Sequence, residues 1–229
     1  MPTLSDETTQ MLKALIFDMD GTLVHSDPVH LEAFEEVLQP EGVTISEEFY
    51  RSSIIGRTNE AIFADLLPHL DVQGQEAYAD RKEATFRRMS TDLKPLDGLL
   101  DLFGWAERHG IRIALVTNAP LLNATHMLDV LGIADRFDVK ITIDQVERGK
   151  PDPLPYLTAL ERLGLKPEEA IAFEDSPSGM QAAKGAGLFS FGVLTGLSAQ
   201  EMREVGADAT IDTFHDRALW EILERRVAA

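Results

Sequence analysis

The sequence of 229 residues contains no cysteine, which excludes disulfide bonds and thiolate-bound metals. It also lacks any run of about 20 apolar residues, the length that a membrane-spanning helix needs. Residues 1–10 are polar and acidic, unlike a secretory or mitochondrial targeting signal. We therefore expect a cytoplasmic protein without a membrane-spanning helix.

Positive charge is also scarce. The chain has 21 lysine and arginine residues against 39 aspartate and glutamate residues, which gives a formal net charge of −18. Duplex nucleic acid and anionic membranes need a basic surface, so we expect neither as a partner, and no protein partner is evident. This charge repels phosphorylated metabolites at long range, so an enzyme acting on one must gather positive charge locally, through a divalent metal and a few lysines or arginines.

Short apolar strands alternate with amphipathic helices from residue 111 onward. This alternation predicts an α/β fold with a doubly wound parallel sheet. The candidate strands are 111–117, 137–143, 170–174 and 189–193, in addition to a first strand at 15–17. Proline after a capping residue and a closing glycine predict helices at about 152–164 and 176–187, and an apolar stripe predicts another that ends at Gly110.

Residues 27–94 carry only helical patterns, such as Leu31, Phe34 and Leu38 at helical spacing. We expect this segment to be an all-helical insertion, called the cap below, placed after the first core strand. Segments 1–26 and 95–229 are then expected to form the core.

Two aspartates follow the first strand with one residue between them. Asp18 and Asp20 are expected to lie beyond the carboxyl end of a buried strand, where ligands bind in parallel sheets. Two adjacent carboxylates need a cation or a shared proton, so the pair predicts a metal site. An Asx-type turn is the alternative, whereas a calcium loop of the EF-hand type fits poorly because Gly21 comes too early after Asp18.

Three further signals fall at the ends of later core elements. Thr117 and Asn118 end the second core strand, where a hydroxyl and backbone amides can hold phosphoryl oxygens, although a helix-capping turn explains them equally well. Lys150 lies in a proline-restrained Gly-Lys-Pro segment, or is simply a surface lysine. Glu174 and Asp175 end another strand, and metal binding explains them better than capping of the next helix, which Ser176 can already supply.

Four segments of the chain resemble, in their order, the four motifs of the haloacid dehalogenase (HAD) superfamily. They are Asp-x-Asp-Gly-Thr, Thr-Asn, Gly-Lys-Pro and Glu-Asp-Ser. The chain looks most like the group that contains β-phosphoglucomutase and small sugar-phosphate phosphatases. The resemblance covers essentially the whole chain. It implies a Rossmann-like, doubly wound parallel sheet core with an inserted all-helical cap.

The resemblance also implies the roles of the core residues. Asp18 is the expected nucleophile, and Asp20 is the expected acid and then base. Thr117 and Asn118 are expected to bind the phosphoryl group and the substrate, and Lys150 to neutralise the phosphoryl charge. The expected Mg²⁺ ligands are Asp18, the backbone carbonyl of Asp20, Asp175 and Glu174.

Three cap residues match substrate-binding positions of the same group. His30 matches a hinge histidine, although a histidine packed beside Phe34 is the plainer interpretation. Arg57 lies in a Gly-Arg-Thr segment where relatives bind substrate, or where a helix simply begins. Lys82, within Arg81-Lys82, matches a pair that points into the cleft of relatives, but it also fits a lysine whose stem covers apolar surface.

These residues together predict a Mg²⁺-dependent phosphatase that acts on a small phosphorylated metabolite, such as a sugar phosphate. Asp20 argues against dehalogenase and phosphonatase chemistry, because the relatives with those activities lack an aspartate there. A mutase of the β-phosphoglucomutase kind is the alternative enzyme, and a non-catalytic phosphate sensor is the alternative from another class.

Overall fold

A computed structural model describes residues 11–228 of the chain. Segment 1–10, which we expect not to be a targeting signal, lies outside the described residues. The described part contains a six-stranded sheet with the order β3-β2-β1-β4-β5-β6, and every paired strand is parallel to its neighbour. The strands are β1 (Ala14–Phe17), β2 (Arg112–Val116), β3 (Val139–Ile141), β4 (Ala170–Glu174), β5 (Phe189–Val193) and β6 (Ala209–Ile211).

The strand order reverses at β1, which lies between β2 and β4. Phe17 at the end of β1 is in register with Leu115 of β2 and Phe173 of β4. The carboxyl ends of these three strands therefore meet at one edge of the sheet. This edge is the topological switch point at which doubly wound folds bind ligands.

Helices cover both faces of the sheet, so the predicted doubly wound arrangement is confirmed. Helices α7 and α8 pack on one face, while α5, α6 and α10 pack on the other. The α-helices of the described residues are α1 (Asp27–Leu38), α2 (Glu47–Ser53), α3 (Asn59–Leu66), α4 (Val72–Met89), α5 (Leu99–Arg108), α6 (Leu121–Val130), α7 (Leu154–Leu163), α8 (Pro177–Gly185), α9 (Ala199–Glu204) and α10 (Arg217–Val227). Short 3₁₀ turns occur at Gln39–Glu41, Ala134–Arg136, Ile143–Gln145 and Pro167–Glu169.

Helices α1 to α4 follow β1 and have an apolar cluster of their own. Phe34, Tyr50 and Phe63 lie at its centre, and all three are buried. Val24 forms an isolated antiparallel bridge with Pro95, which joins the chain where it leaves the sheet to the point where it returns. This arrangement agrees with a helical cap, and its boundaries at 27 and 94 stay a prediction.

The differences from the expected elements concern short segments. Strand β3 has only three residues, Val139–Ile141, although the amide of Asp138, just before it, still donates to the Ile113 carbonyl of β2 at 2.8 Å. The edge strand β6 was not expected, since two of its three residues are only half-buried and form no apolar run. No helix in residues 11–228 combines the length and the apolar character that crossing a membrane requires.

Phe173 anchors the stack of aromatic rings beneath the switch point. Its ring centroid lies 4.7 Å from that of Phe17 and 5.3 Å from that of Phe191, and the side chain is fully buried.

We expect Phe173→Ala to lower the free energy of unfolding by about 3–5 kcal/mol, because it leaves a cavity. Urea unfolding monitored by circular dichroism measures the change. Phe49→Ala, at a ring 39% exposed on α2, is the control and should cost less than about 1 kcal/mol. Equal losses in the two variants would contradict this account.

Candidate active site

The cleft between the switch point and the cap collects nearly all of the predicted site residues. Seven short segments contribute them, four from loops that follow core strands and three from the cap. Those that line it are Asp18, Asp20, Thr117, Asn118, Lys150 and Asp175 from the core, and His30, Arg57 and Lys82 from the cap. Glu174 does not line the cleft; it is fully buried directly behind Lys150.

Lys150 joins two of the carboxylates. Its ammonium Nζ lies 2.6 Å from Asp18 Oδ1 and 2.6 Å from Glu174 Oε1, and the residue is 5% exposed. Asn118 holds the lysine backbone on both sides: its Oδ1 accepts from the Lys150 amide at 2.9 Å and its Nδ2 donates to the Lys150 carbonyl at 3.1 Å. Lys150 is therefore a fixed buried cation rather than a surface lysine.

Tyr156 is a site residue that the sequence analysis missed. Its hydroxyl donates to Glu174 Oε1 at 2.5 Å, so this oxygen accepts from both Tyr156 and Lys150. In the sequence Tyr156 belongs only to the apolar stripe of α7. A hydroxyl within an otherwise aliphatic stripe was the one signal that could have identified it.

Asp18, Glu174 and Asp175 form a cluster that could hold a metal ion. One carboxylate oxygen from each lies within 4.8 Å of the others, and all three residues are buried. Glu174 Oε2 is buried without a hydrogen-bond partner among the described residues. Gly179 leaves room for it, because a Cβ there would lie 1.9 Å from that oxygen. The donors are all carboxylate oxygens, which suits a hard divalent cation.

The charges of this cluster are not balanced by Lys150 alone. Burial raises the pKa of Asp18 to about 7, against the lowering effect of Lys150 and with a further increase from Glu174. Burial and the Asp18 carboxylate raise the pKa of Asp175 well above its usual range. A divalent cation would favour the ionised forms of Asp18 and Asp175, whose pKa values are raised, so these residues fit a divalent metal.

Gly21 lets the first loop approach this cluster closely. It has a φ of +73°, and a Cβ would lie 2.0 Å from Asp175 Oδ2. Any larger residue would both strain the backbone and displace the Asp175 carboxylate. The glycine of the Asp-x-Asp-Gly-Thr motif is therefore required by the close approach of a carboxylate, besides the turn.

Asp20 turns its side chain away from the cluster and toward the cap. Its Oδ1 accepts from Ser26 Oγ at 2.5 Å and lies 3.2 Å from His30 Nε2. Burial raises the pKa of Asp20, but His30 and Ser26 lower it more, so the net shift is downward. Asp18 and Asp20 therefore have opposite pKa shifts, a pattern typical of paired carboxylates with different roles.

His30 connects Asp20 to Lys82. Lys82 Nζ lies 2.9 Å from His30 Nδ1, and because an ammonium group only donates, Nδ1 accepts and Nε2–H donates to Asp20. The His30 ring stacks on Phe86 with centroids 3.8 Å apart, which fixes its orientation. Lys82 is 3% exposed, so it points into the cleft rather than reaching solvent.

Glu83 continues this network from the cap to the core, and the sequence analysis missed it. Its Oε1 lies 2.9 Å from Lys82 Nζ and accepts from Asn59 at 2.5 Å, while Oε2 accepts from Asn123 of α6. Burial raises the pKa of Glu83, but Lys82 and His30 lower it more, and the net shift is downward. Its position directly after the predicted Lys82 was the signal in the sequence that could have identified Glu83.

The remaining predicted residues differ in how they meet the cleft. Thr117 is buried, and its Oγ1 accepts from the Ala119 amide at 3.0 Å, which leaves the hydroxyl proton for a ligand. Arg57 lines the cleft, but its guanidinium binds Asp65 at 2.6 Å and two backbone carbonyls of the cap. Arg81 lies over the ring of Tyr78 at 4.3 Å instead of accompanying Lys82.

Raising the pH should destabilise the metal-free protein relative to Asp18→Asn. The pKa of Asp18 is about 7 in the folded protein and 3.8 in the unfolded chain, so its contribution to stability is full below about pH 4 and is lost as the pH rises to 7. We therefore expect the free energy of unfolding of the variant, relative to that of the wild type, to increase by about 1–3 kcal/mol between pH 5 and pH 8.

Urea unfolding in EDTA at several pH values measures this gap, the difference in free energy of unfolding between Asp18→Asn and the wild type. Asp80→Asn, at an exposed position of α4, is the control and should show no pH-dependent gap. A gap that stays constant between pH 5 and pH 8 would refute the raised pKa.

Comparisons with known proteins identify the family of this chain. The family model for haloacid dehalogenase-like hydrolases matches residues 12–187. The phosphorylated carbohydrates phosphatase of Thermotoga maritima is 34% identical over 204 residues, which cover 87% of this chain and 94% of that protein. The fructose-1-phosphate phosphatase of Escherichia coli is 34% identical over 183 residues, covering 76% of this chain and 92% of that one.

A solved structure shares the whole architecture. The crystal structure of CbbY from Rhodobacter sphaeroides in complex with phosphate has a TM-score of 0.79 and 30% sequence identity, covering 90% of this chain and 96% of that one. The family model spans most of the sequence, and the relatives align over nearly their full lengths. The chain belongs to the family of haloacid dehalogenase-like hydrolases, as its four motifs predict.

Proposed function

We propose that the protein is a Mg²⁺-dependent phosphatase that hydrolyses a small phosphorylated metabolite through an aspartyl-phosphate on Asp18. The observation that carries this proposal is the division between the two aspartates. Asp18 is held by Lys150 at 2.6 Å beside a cluster fit for a metal, whereas Asp20 is held by Ser26 and His30 on the cap side. One carboxylate is thus placed for nucleophilic attack and the other for proton transfer.

In the first step, Asp18 attacks the phosphorus atom and the bond to the leaving oxygen breaks. Asp20 gives its proton to that oxygen, so the product is a neutral alcohol. A lowered pKa leaves Asp20 ionised in the empty cleft, but a phosphate dianion bound beside it raises the pKa because like charges disfavour ionisation. Substrate binding therefore lets Asp20 take up a proton from water before the bond to the leaving oxygen breaks.

In the second step, water attacks the aspartyl-phosphate. Asp20, now ionised, takes a proton from the water, and the bond between phosphorus and Asp18 breaks. The hydrogen bonds from Ser26 and His30 hold the carboxylate in place for this transfer. Inorganic phosphate leaves, and both aspartates return to their starting states.

Positive charge in the cleft balances the phosphoryl group. The residues that would hold Mg²⁺ are Asp18, the Asp20 carbonyl and Asp175, with Glu174 behind them. When bound, the ion neutralises phosphoryl charge and orients the reacting oxygens. Lys150 adds a fixed charge 2.6 Å from Asp18, and Thr117 offers a hydroxyl for a phosphoryl oxygen.

The substrate is proposed to be a small phosphorylated carbohydrate. His30, Lys82 and Asn59 of the cap line the cleft opposite the switch point, which suits a small metabolite held between cap and core. The relatives from Thermotoga maritima and Escherichia coli are phosphatases of phosphorylated carbohydrates and of fructose 1-phosphate, respectively. These names support the same class of substrate for this chain.

A sugar-phosphate mutase is the second candidate, and the link from Asp20 through His30 to Lys82 is compatible with it. Such a network can hold a sugar hydroxyl for rephosphorylation as readily as it can hold an alcohol that departs. Incubation with β-glucose 1-phosphate and a bisphosphate primer separates the two functions. A mutase yields the 6-phosphate, whereas a phosphatase yields inorganic phosphate.

Asp18→Asn should abolish turnover, because an amide is a poor nucleophile and cannot carry the phosphoryl group. We expect the wild type with Mg²⁺ to release phosphate from at least one member of a panel of phosphorylated sugars and small acids, and the variant to fall at least about 10³-fold. Asp80→Asn should retain full activity. Absence of phosphate release by the wild type from the whole panel would overturn the proposal, and retained binding of phosphate ligands by Asp18→Asn would then favour a sensor.

Asp20→Asn should slow alkyl phosphates far more than p-nitrophenyl phosphate. An alkoxide cannot leave without a proton, whereas p-nitrophenolate needs none, so the acid matters only for the first substrate. We expect a loss of about 10²–10⁴-fold in the first turnover of the alkyl substrate and a much smaller one for the aryl substrate. Rapid-quench measurement of alcohol release distinguishes them, and equal losses would remove Asp20 from the role of acid.

A further inference from the structure

Acidic side chains dominate the cleft even on the side away from the metal cluster. Its lining contains five carboxylates but only three lysine or arginine side chains. Asp18, Asp20 and Asp175 have roles in the proposed chemistry. The other two, Asp27 and Glu83, have no role there, although both line the same cleft.

Asp27 lies beside the proposed acid. It is the first residue of α1, and its Oδ1 accepts from Tyr50 Oη at 3.1 Å. Tyr50 belongs to α2, so this bond ties two cap helices together at the edge of the cleft. A carboxylate offers about four lone-pair directions, and Tyr50 uses only one of them. Asp27 can therefore accept hydrogen bonds from a ligand near the leaving oxygen.

Glu83 faces the cleft from α4. Lys82, Asn59 and Asn123 donate to its two oxygens, which leaves about one lone pair for a further donor. The residue is 7% exposed, so its charge is screened little by water or salt. Sugar hydroxyls, which can donate, suit both Glu83 and Asp27.

The cations that line the cleft are already paired. Lys150 lies 2.6 Å from Asp18, Lys82 lies 2.9 Å from Glu83, and Arg57 lies 2.6 Å from Asp65. On the cap side three lining carboxylates, Asp20, Asp27 and Glu83, thus face one lysine, Lys82, because Arg57 is paired with Asp65. A second phosphate group there would meet a net negative charge among the described lining residues. Burying a dianion in such surroundings is strongly unfavourable.

We propose that Asp27 and Glu83 restrict the enzyme to substrates with one phosphate group and a neutral, hydroxyl-bearing remainder, and that they reject bisphosphates. This proposal rests on the proposed phosphatase function. The two carboxylates accept from hydroxyls of the remainder, and they repel a second phosphate. The same repulsion disfavours a mutase, whose reaction passes through a bisphosphate with both ends in the cleft.

A matched set of sugars tests this proposal. The wild-type protein with Mg²⁺ is assayed for phosphate release from fructose 1-phosphate, fructose 6-phosphate and fructose 1,6-bisphosphate. We expect kcat/KM for the better monophosphate to exceed that for the bisphosphate at least about tenfold, mainly through KM, because like charges oppose binding. Comparable values for the bisphosphate would overturn the proposal while leaving the phosphatase function intact.

Glu83→Gln and Asp27→Asn give the decisive comparison. Each removes a charge and keeps the side-chain size, so we expect the ratio of monophosphate to bisphosphate kcat/KM to fall at least about tenfold in one or both. If the two residues had a purely structural role, the substitutions would lower kcat/KM for both substrates alike and leave the ratio unchanged. An unchanged ratio in both variants would therefore refute the proposal.

Glu76→Gln is the control for net charge. Glu76 lies on the same helix as Glu83 but is exposed and does not line the cleft. The ratio should match that of the wild type. Failure of the wild type on all three sugars and on the wider panel would instead reject the proposed function itself, so the two failures are distinguishable.

Discussion

The buried ammonium of Lys150 is the interaction on which the site depends. It lies 2.6 Å from both Asp18 and Glu174, and Tyr156 supplies a further hydrogen bond to Glu174. Removing one partner from a buried ion pair leaves an uncompensated charge and typically costs about 3–5 kcal/mol. The lysine comes from the loop after β3, whereas the carboxylates follow β1 and end β4. One side chain therefore joins three segments at the switch point of the sheet.

The cap adds a second charged network that meets the first at the aspartate pair. Asp20 is connected through His30 to Lys82, and Glu83 connects that lysine to Asn123 on the core helix α6. The cap is thereby attached to the core through the same groups that orient the proposed acid. Attachment of the cap and orientation of Asp20 depend on one set of hydrogen bonds, which explains why so many polar groups are buried there.

The core site could be predicted because its residues follow apolar strands, and parallel strands align their carboxyl ends. Asp18, Thr117 and Asp175 were identified for this reason, and they line one cleft. Tyr156 and Glu83 could not be identified, because each lies on a helix. Helical periodicity predicts which face of the helix a residue belongs to, but not what that face contacts. Whether a polar group on that face meets solvent or a buried carboxylate depends on the neighbouring element.

The sequence by itself determined the doubly wound sheet, the presence of a helical segment after β1, and membership of the haloacid dehalogenase-like hydrolases. These features follow from local patterns and short motifs, which can be recognised without knowing the distances between residues in the fold. Only the tertiary structure decided the partners of the buried charges: Lys150 binds Asp18, which is distant in the sequence, and Glu174. Pairing of charges depends on contacts between residues far apart in the chain, and electrostatic energy varies with distance and burial that no sequence pattern encodes.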